Sequence, residues 1–328
     1  MLLPVFDAAA TLEVCLRSVA RQTEARFECW IVDDGSTDGS LEVAHACARR
    51  DARFRVLALE HRGLVATLTS GLARCRAPLV ARMDADDVMH RERLALQRAA
   101  LDGDPTLAAV GSHVRCFPRA GLRAGMRAYE RWLNAIDSAE RVRLDAFIEC
   151  PIAHPTLMIR RDVTAHMGYR DAGWPEDYDL VLRLLEADLR IGVVPRRLLG
   201  WRQGEKRLSK RDPRYATERF TECRAAFLAR SFLAKSDRYL LWGYGGTGRR
   251  LRAALAEHDK RPAAIIELHP GRLGQTIHGA RVIAPDEIRC PLPHPLVVSV
   301  AGDEARKLIR AHLAELGLRD GRDFFCAA

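Results

Sequence analysis

Short apolar runs alternate along the first quarter of the chain with stretches whose apolar positions recur every third or fourth residue. Residues 1–6, 27–32, 54–59 and 79–83 read as strands. Leu12, Cys15, Leu16 and Val19 follow the first strand at helical spacing, and residues 64–74 form a further helix. Strand and helix alternating at this interval predict an α/β domain with a doubly wound, mostly parallel sheet, whose ligands gather at the C-terminal edge of the strands. Two polar turns fall on that edge. One is Asp33-Asp34-Gly35-Ser36-Thr37-Asp38; in the other, the apolar run 79–83 stops in Asp84-Ala85-Asp86-Asp87.

Farther along, residues 108–117 alternate like a strand, 129–147 read as one or two amphipathic helices, and 154–160 return to the sheet. A proline in the first turn and flanking carboxylates in Trp174-Pro175-Glu176-Asp177-Tyr178-Asp179-Leu180 announce a helix running to about residue 187. Asp177 then sits at a helix N-terminus, although simple capping accounts for Glu176 or Asp179 equally well. Residues 215–234 form a linking helix with Phe220, Cys223, Phe227 and Leu228 on one face. The strand 239–242 enters Gly243-Tyr244-Gly245-Gly246-Thr247-Gly248 and a helix, and the next strand ends in Glu267. That order places Gly243, Gly245, Gly248 and Glu267 as a small Rossmann-like domain places a dinucleotide loop and its ribose acid. Either NAD(P) binds here, or the fold is kept for docking or regulation. The second reading is favoured by a length too short to hold a separate catalytic part. The expected division is 1–209, a helical linker 210–236, and 237–328.

Composition narrows the function. The net charge is +9, but the 52 basic residues are spread along the whole chain without an aromatic platform, so nucleic acid is not the expected partner. One local cluster, Arg202, Lys206, Arg207, Lys210, Arg211 and Arg214, suits a diphosphate or anionic lipid headgroups, or is a solvated linker. Nine scattered cysteines without a CxxC pair read as reduced thiols. No window approaches the roughly 20 apolar residues of a membrane span. The expected location is the cytoplasm, with peripheral contact at the inner membrane face. Asp84 and Asp86 converge at a strand end, and two hard oxygen donors suit Mg2+ or Mn2+ holding phosphate oxygens.

Leu3-Pro4-Val5-Phe6-Asp7-Ala8, Val32-Asp33-Asp34-Gly35-Ser36-Thr37-Asp38, Asp84-Ala85-Asp86-Asp87 and Glu176-Asp177-Tyr178-Asp179-Leu180 stand in the order and spacing of family 2 glycosyltransferases of the GT-A fold, and the chain resembles that family over residues 1–209. The resemblance implies an inverting transfer from a nucleotide-sugar donor, a UDP-sugar first, to a hydroxyl of a glycan or lipid-linked glycan. It places Pro4 and Asp34 at the donor's base, Asp84 by the ribose and metal, Asp86 as direct metal ligand and Asp177 as general base.

The chain departs from the pattern in two places. Asp7 stands where the family has asparagine. Gln203 follows the Trp201-Arg202 pair where many relatives carry a histidine, so either Arg202 and Arg207 carry the diphosphate charge or the third metal ligand is water, with His154 and His113 as alternatives. Two other functions compete: a bifunctional protein whose tail modifies the sugar with a dinucleotide, and a decayed enzyme serving assembly or docking. If the tail only docks, a chain ending near Ser236 is expected to keep transfer activity.

Overall fold

The computed structural model describes residues 1–204 and 207–328. The chain opens with β1 (Leu2–Val5), α1 (Ala9–Ala20), β2 (Cys29–Asp33), α2 (Ser40–Arg50), β3 (Phe54–Ala58), α3 (Leu64–Leu72) and β4 (Leu79–Ala81). It continues through β5 (Val88–Met89), α4 (Arg93–Gly103), β6 (Leu107–Phe117), α5 (Ala124–Leu133), α6 (Ala139–Asp145), β7 (Met158–Arg160), α7 (Arg161–His166), α8 (Glu176–Glu186) and β8 (Arg190–Arg202). The remainder is α9 (Thr217–Arg230), β9 (Arg238–Trp242), α10 (Gly246–Ala256), β10 (Arg261–Ile266), β11 (Thr276–Ile277), β12 (Ala280–Ile283), β13 (Leu296–Val298), α11 (Asp303–Glu315) and β14 (Phe324–Cys326).

Contacts group these elements into two compact units that no single cut in the chain separates. Residues 1–142, 152–172 and 183–210 form the first, and residues 143–151, 173–182 and 211–328 the second. The segment bearing Asp177 therefore groups with the tail and not with the acidic turn.

In the first unit β1, β2 and β3 pair in parallel, and Arg82, just past β4, bridges to Leu2 in parallel. Asp33 and Asp84 thus leave the sheet on one rim, as the alternating pattern predicts. The second sheet has the order β4-β7-β6-β8-β5 and is mixed: β7 runs antiparallel to β4 and β6, β5 antiparallel to β8, and only β6 and β8 are parallel. The strand pattern of β8 is obscured by its arginines and by Pro195. The β6–β8 register jumps from Ser112↔Val194 to His113↔Arg197, so Pro195 and Arg196 bulge out of the ladder where a missing N–H does no harm. The run 79–83 is a strand only to Ala81. Leu3, Leu12, Leu16, Ile31, Met83 and Val110 lie in one buried core.

In the second unit the sheet order is β11-β12-β10-β9-β13-β14, parallel except for the short β11–β12 hairpin, which the sequence pattern did not reveal. Two glycines of the loop after β9 serve packing. A Cβ on Gly248 would collide with the Gly243 carbonyl, and one on Gly243 (φ +94) would lie 2.9 Å from the Ser299 carbonyl. Gly245 faces open space.

α3 packs onto β1 and β2 through Gly71, where an added Cβ would collide with Leu2 and fall 2.6 Å from Val32 Cγ2. Gly71→Ala is expected to destabilise the first unit by about 1–3 kcal/mol through overpacking. An unchanged urea midpoint would show that the helix can back away.

Candidate active site

The acidic turn is built by burial against charge. Asp84, Asp86 and Asp87 each bring a carboxylate oxygen within 4.8 Å of the others. Such crowding raises the proton affinity of carboxylates unless cations answer it. Burial pushes Asp84 up, but the adjacent Arg82 guanidinium, hydrogen-bonded to its Oδ1, more than offsets this and holds it below the ordinary range. Burial and the Asp84 charge raise Asp86. Asp87 is 1% exposed, and burial followed by its two neighbours drives it well above the usual range. Its Oδ1 accepts the Arg202 N–H at 2.7 Å, while its Oδ2 has no hydrogen-bond partner.

Beneath the turn Arg93 is fully buried. Its Nη2 donates to the Arg82 carbonyl at 2.7 Å and its Nε to Gln97 Oε1 at 2.9 Å, and burial lowers its pKa to about 9. Sequence reasoning missed Arg93, because one arginine opening a helix reads as a surface residue. A carboxylate set with one orphaned oxygen, half-open at Asp84 and Asp86, fits a hard divalent cation.

Arg202, expected at the diphosphate, anchors the turn: its Nε donates to the Asp86 carbonyl at 2.7 Å and its guanidinium stacks 4.6 Å over Phe117. Arg207 faces the cluster electrostatically and lies 4.8 Å over the Trp201 ring, oriented by a 3.0 Å bond from its Nη1 to Gln203 Oε1. Gln203 is thus a holder of Arg207. Lys206 of the basic cluster lies outside the described residues, and Arg214 is clamped on Asp212 at 2.6 Å. His113 Nε2 meets the Ile136 carbonyl at 3.0 Å and His154 Nε2 the Tyr169 hydroxyl at 2.8 Å. Both are engaged in protein contacts.

Across the same sheet edge, Pro4 is buried opposite Val32. The Asp34 carboxylate accepts the N–H groups of Arg62 (3.0 Å) and Gly63 (2.9 Å) and meets His61 Nδ1 at 2.9 Å, with Phe6 stacked on the His61 ring at 4.2 Å. Asp7 has φ +45, a conformation that Asn and Asp tolerate best, and its Oδ1 accepts the Thr37 N–H at 2.9 Å. The aspartate therefore does the structural work available to asparagine.

In the second unit the three carboxylates that open α8 separate by environment. Glu176 is 2% exposed and accepts the Tyr215 hydroxyl at 2.6 Å, and Asp179 is buried and accepts Trp174 Nε1 at 2.9 Å. Asp177 is half-exposed, its Oδ1 accepting the Tyr178 N–H at 2.7 Å. Its helix is tied to the tail: the Tyr178 hydroxyl donates to Ala146, and buried Arg224 donates to the carbonyls of Ile148 (2.6 Å) and Ala327 (2.8 Å). At the glycine loop, Glu267 accepts the Tyr244 N–H at 2.7 Å and Arg272 Nη1 at 3.0 Å, so the acid expected at a ribose already holds the loop itself.

The family model for glycosyl transferase family 2 matches residues 1–168. The chain is 30% identical over 205 residues to the amylovoran biosynthesis glycosyltransferase AmsE of Erwinia amylovora, covering 61% of this chain and 73% of that one. It is 30% identical to the O-antigen biosynthesis glycosyltransferase WbnJ of Escherichia coli, covering 68% and 84%. The match to the O-antigen biosynthesis protein RfbC of Myxococcus xanthus, 31% identical, covers 61% of this chain and spans 15% of that protein's length. Among solved structures, S. aureus TarS 1-349 in complex with UDP-GlcNAc superposes with a TM-score of 0.57 at 17% identity, covering 78% and 71% of the two chains. The mannosyltransferase PcManGT of Pyrobaculum calidifontis, with GDP-Man and Mn2+, gives 0.53 at 18%, covering 78% and 68%. These two show the fold.

If the crowded carboxylates await a cation, Asp86→Ala is expected to raise the melting temperature in chelator, because one like charge leaves a half-buried cluster. Manganese is expected to raise the melting temperature of the wild type and not of the variant. An equal manganese shift in both proteins would remove Asp86 as a ligand.

Proposed function

Because the chain belongs to glycosyl transferase family 2, we propose that it is an inverting, metal-dependent transferase that moves a sugar from a nucleoside-diphosphate donor to a hydroxyl of a surface-glycan acceptor. The observation that carries this reading is the trio of carboxylates within 4.8 Å on the rim, with Arg207 facing them. Asp86 and Asp84 would hold Mg2+ or Mn2+, which when bound supplies positive charge to the leaving diphosphate. Arg207 adds a fixed cation on the same side. Pro4 and Asp34 form the base pocket, and a UDP-sugar is the donor proposed first. The TarS complex with UDP-GlcNAc supports that choice, while GDP-Man in PcManGT stands for the alternative. The glycan acceptor follows the names of AmsE and WbnJ.

Asp177 is the base. It takes the proton of the acceptor hydroxyl as that oxygen bonds to the anomeric carbon. The bond from that carbon to the diphosphate oxygen breaks on the opposite face, and the configuration inverts. Its support over its neighbours is physical: Glu176 and Asp179 are buried and committed to Tyr215 and Trp174. In this reading Arg202 helps the donor only by fixing the turn that carries Asp86. No helix among the described residues is long and apolar enough to cross a membrane. For the tail we propose support of the base-bearing segment in place of NAD(P) chemistry. Gly243 and Gly248 serve packing and Glu267 holds the loop. A chain cut near Ser236 would leave Phe147 without its ring partner Phe325, and Arg224 without the Ala327 carbonyl. This argues against a dispensable tail.

Protection from thermal unfolding by UDP against GDP, each with manganese, tests the donor. Asp177→Asn is expected to lower turnover by about 10²–10⁴-fold with donor affinity unchanged, whereas near-native turnover would move the role to Glu176. Arg224→Met strands two carbonyls, so it is expected to cost about 1–3 kcal/mol of stability and to lower kcat while sparing the donor KM. A kcat equal to wild type would uncouple the tail from the base.

A further inference from the structure

A cavity of about 660 Å³ in the first unit, apart from the acidic turn, is lined by Arg115, Arg119, Arg127, Arg131 and Arg197, with Glu130 the single carboxylate among its lining residues. Arg115 comes from β6, Arg127 and Arg131 from α5, and Arg197 from β8. Past Val110, β6 has no strand partner on its β7 side among the described residues, and α5 and Asn134 cover that edge with side chains. Asn134 exchanges bonds with the Val114 N–H and carbonyl, both 2.9 Å, and Glu130 accepts the Cys116 N–H at 3.0 Å.

This clamp holds the arginines around one volume. Glu130 is already bonded to Arg119 at 2.5 Å, and Arg127 donates to the carbonyls of Leu122 and Arg119. Among the described residues, Arg115, Arg131 and Arg197 have no acidic partner. All three are exposed, and the three elements that carry them set their like charges along one concavity of the size that holds small ligands.

We propose that this pocket binds a diphosphate ester, the charged end of the acceptor, through Arg115, Arg131 and Arg197. The acceptor assignment rests on the transferase reading above. Guanidinium groups bind phosphate oxygens in pairs, and the cavity leaves room for the group that the diphosphate carries. With Glu130 neutralised by Arg119, nothing in the lining holds a cation, so binding here needs no metal, in contrast to the acidic turn.

Calorimetric titration of the full chain with inorganic pyrophosphate in chelator tests the site. The wild type and Asp86→Ala are expected to bind alike. Arg115→Ala/Arg131→Ala/Arg197→Ala is expected to lose at least about tenfold in affinity, the equivalent of 1.4 kcal/mol, while keeping manganese-dependent UDP binding as proof of its fold. Arg131→Ala alone, on an exposed position of α5, is expected to weaken pyrophosphate several-fold. No binding by the wild type, undiminished binding by both arginine variants, or loss in Asp86→Ala would overturn the proposal. So would arginine-dependent sedimentation with phosphatidylglycerol vesicles in the absence of pyrophosphate binding, which would make the pocket a headgroup site. Failure of the wild type to bind any nucleotide with manganese would overturn the donor reading instead, because the pyrophosphate titration in chelator does not depend on it.

Discussion

Three carboxylates on four consecutive residues, half-sunk at a sheet edge, set the constraint around which the first unit is arranged. Each is favoured as an anion only if positive charge lies near, and a partly buried site weakens the help that water gives. The chain answers with two guanidiniums under the turn. Arg82 takes up Asp84, and Arg93 is buried so completely that its own pKa drops to about 9. Arg93 offers its donors to a backbone carbonyl and to Gln97, and Gln97 in turn donates to the carbonyls of Val110 and Thr156. The charge balance of the turn is thereby wired to β6 and to the segment before β7. Asp86 stays raised despite the facing Arg207, and Oδ2 of Asp87 has no hydrogen-bond partner, which suits a site for a cation.

The second unit solves a different problem. A base at the start of α8, as proposed for Asp177, must be open to its substrate while its helix is fixed, and the sequence puts three acids there. Burial sorts them: Glu176 and Asp179 pin the start of α8 to Tyr215 and Trp174, and Asp177 is left half-open. The helix then reaches the tail through Tyr178 and Ala146, and residues 146–148 reach it through Phe147 against Phe325 and through Arg224. Glu149 beside Arg224 is raised by burial, with that guanidinium pulling in the opposite sense. A guanidinium that bridges the carbonyls of Ile148 and Ala327 couples chain segments far apart in sequence. This is a physical reason for the tail module to accompany the helix that carries Asp177.

The alternating apolar pattern made β1 to β4 and the tail's βα order legible, since a strand buried on both faces leaves a run that is hard to mistake. It failed where polarity hid the strand. β8 carries Arg196, Arg197 and Arg202 around Pro195, and its pairing with β6 and β5 reveals it. The clustering of Asp84 and Asp86 and the place of Asp177 at a helix start were legible from motif and position. Arg93 and Asp87 were not given roles, because no local pattern distinguishes a buried arginine from an exposed one. Arg202 and Gln203 show a subtler limit: residue type suggested diphosphate and a lost ligand, but the backbone carbonyl of Asp86 and the guanidinium of Arg207 are what they meet. Domain limits were the least legible, since residues 143–151 and 173–182 group with the tail by contacts that no composition shift marks.

Under the two proposals phosphate is handled in two ways on this chain, and the arginine bias makes the second feasible. A carboxylate cluster attracts phosphate only through an intervening cation, so its affinity follows metal supply. A guanidinium pocket attracts phosphate directly and is indifferent to metal. Under the two proposals the first unit gives two anionic partners separate chemical entrances: a diphosphate without metal is repelled by Asp84, Asp86 and Asp87, whereas the arginine pocket needs no metal. Lysines could supply the same charge in the pocket, but not the planar forks that α5 and β6 hold in place beside Glu130 and Asn134. The composition bias that looks uninformative over the whole chain therefore acquires a use wherever the backbone brings three such side chains to one cavity.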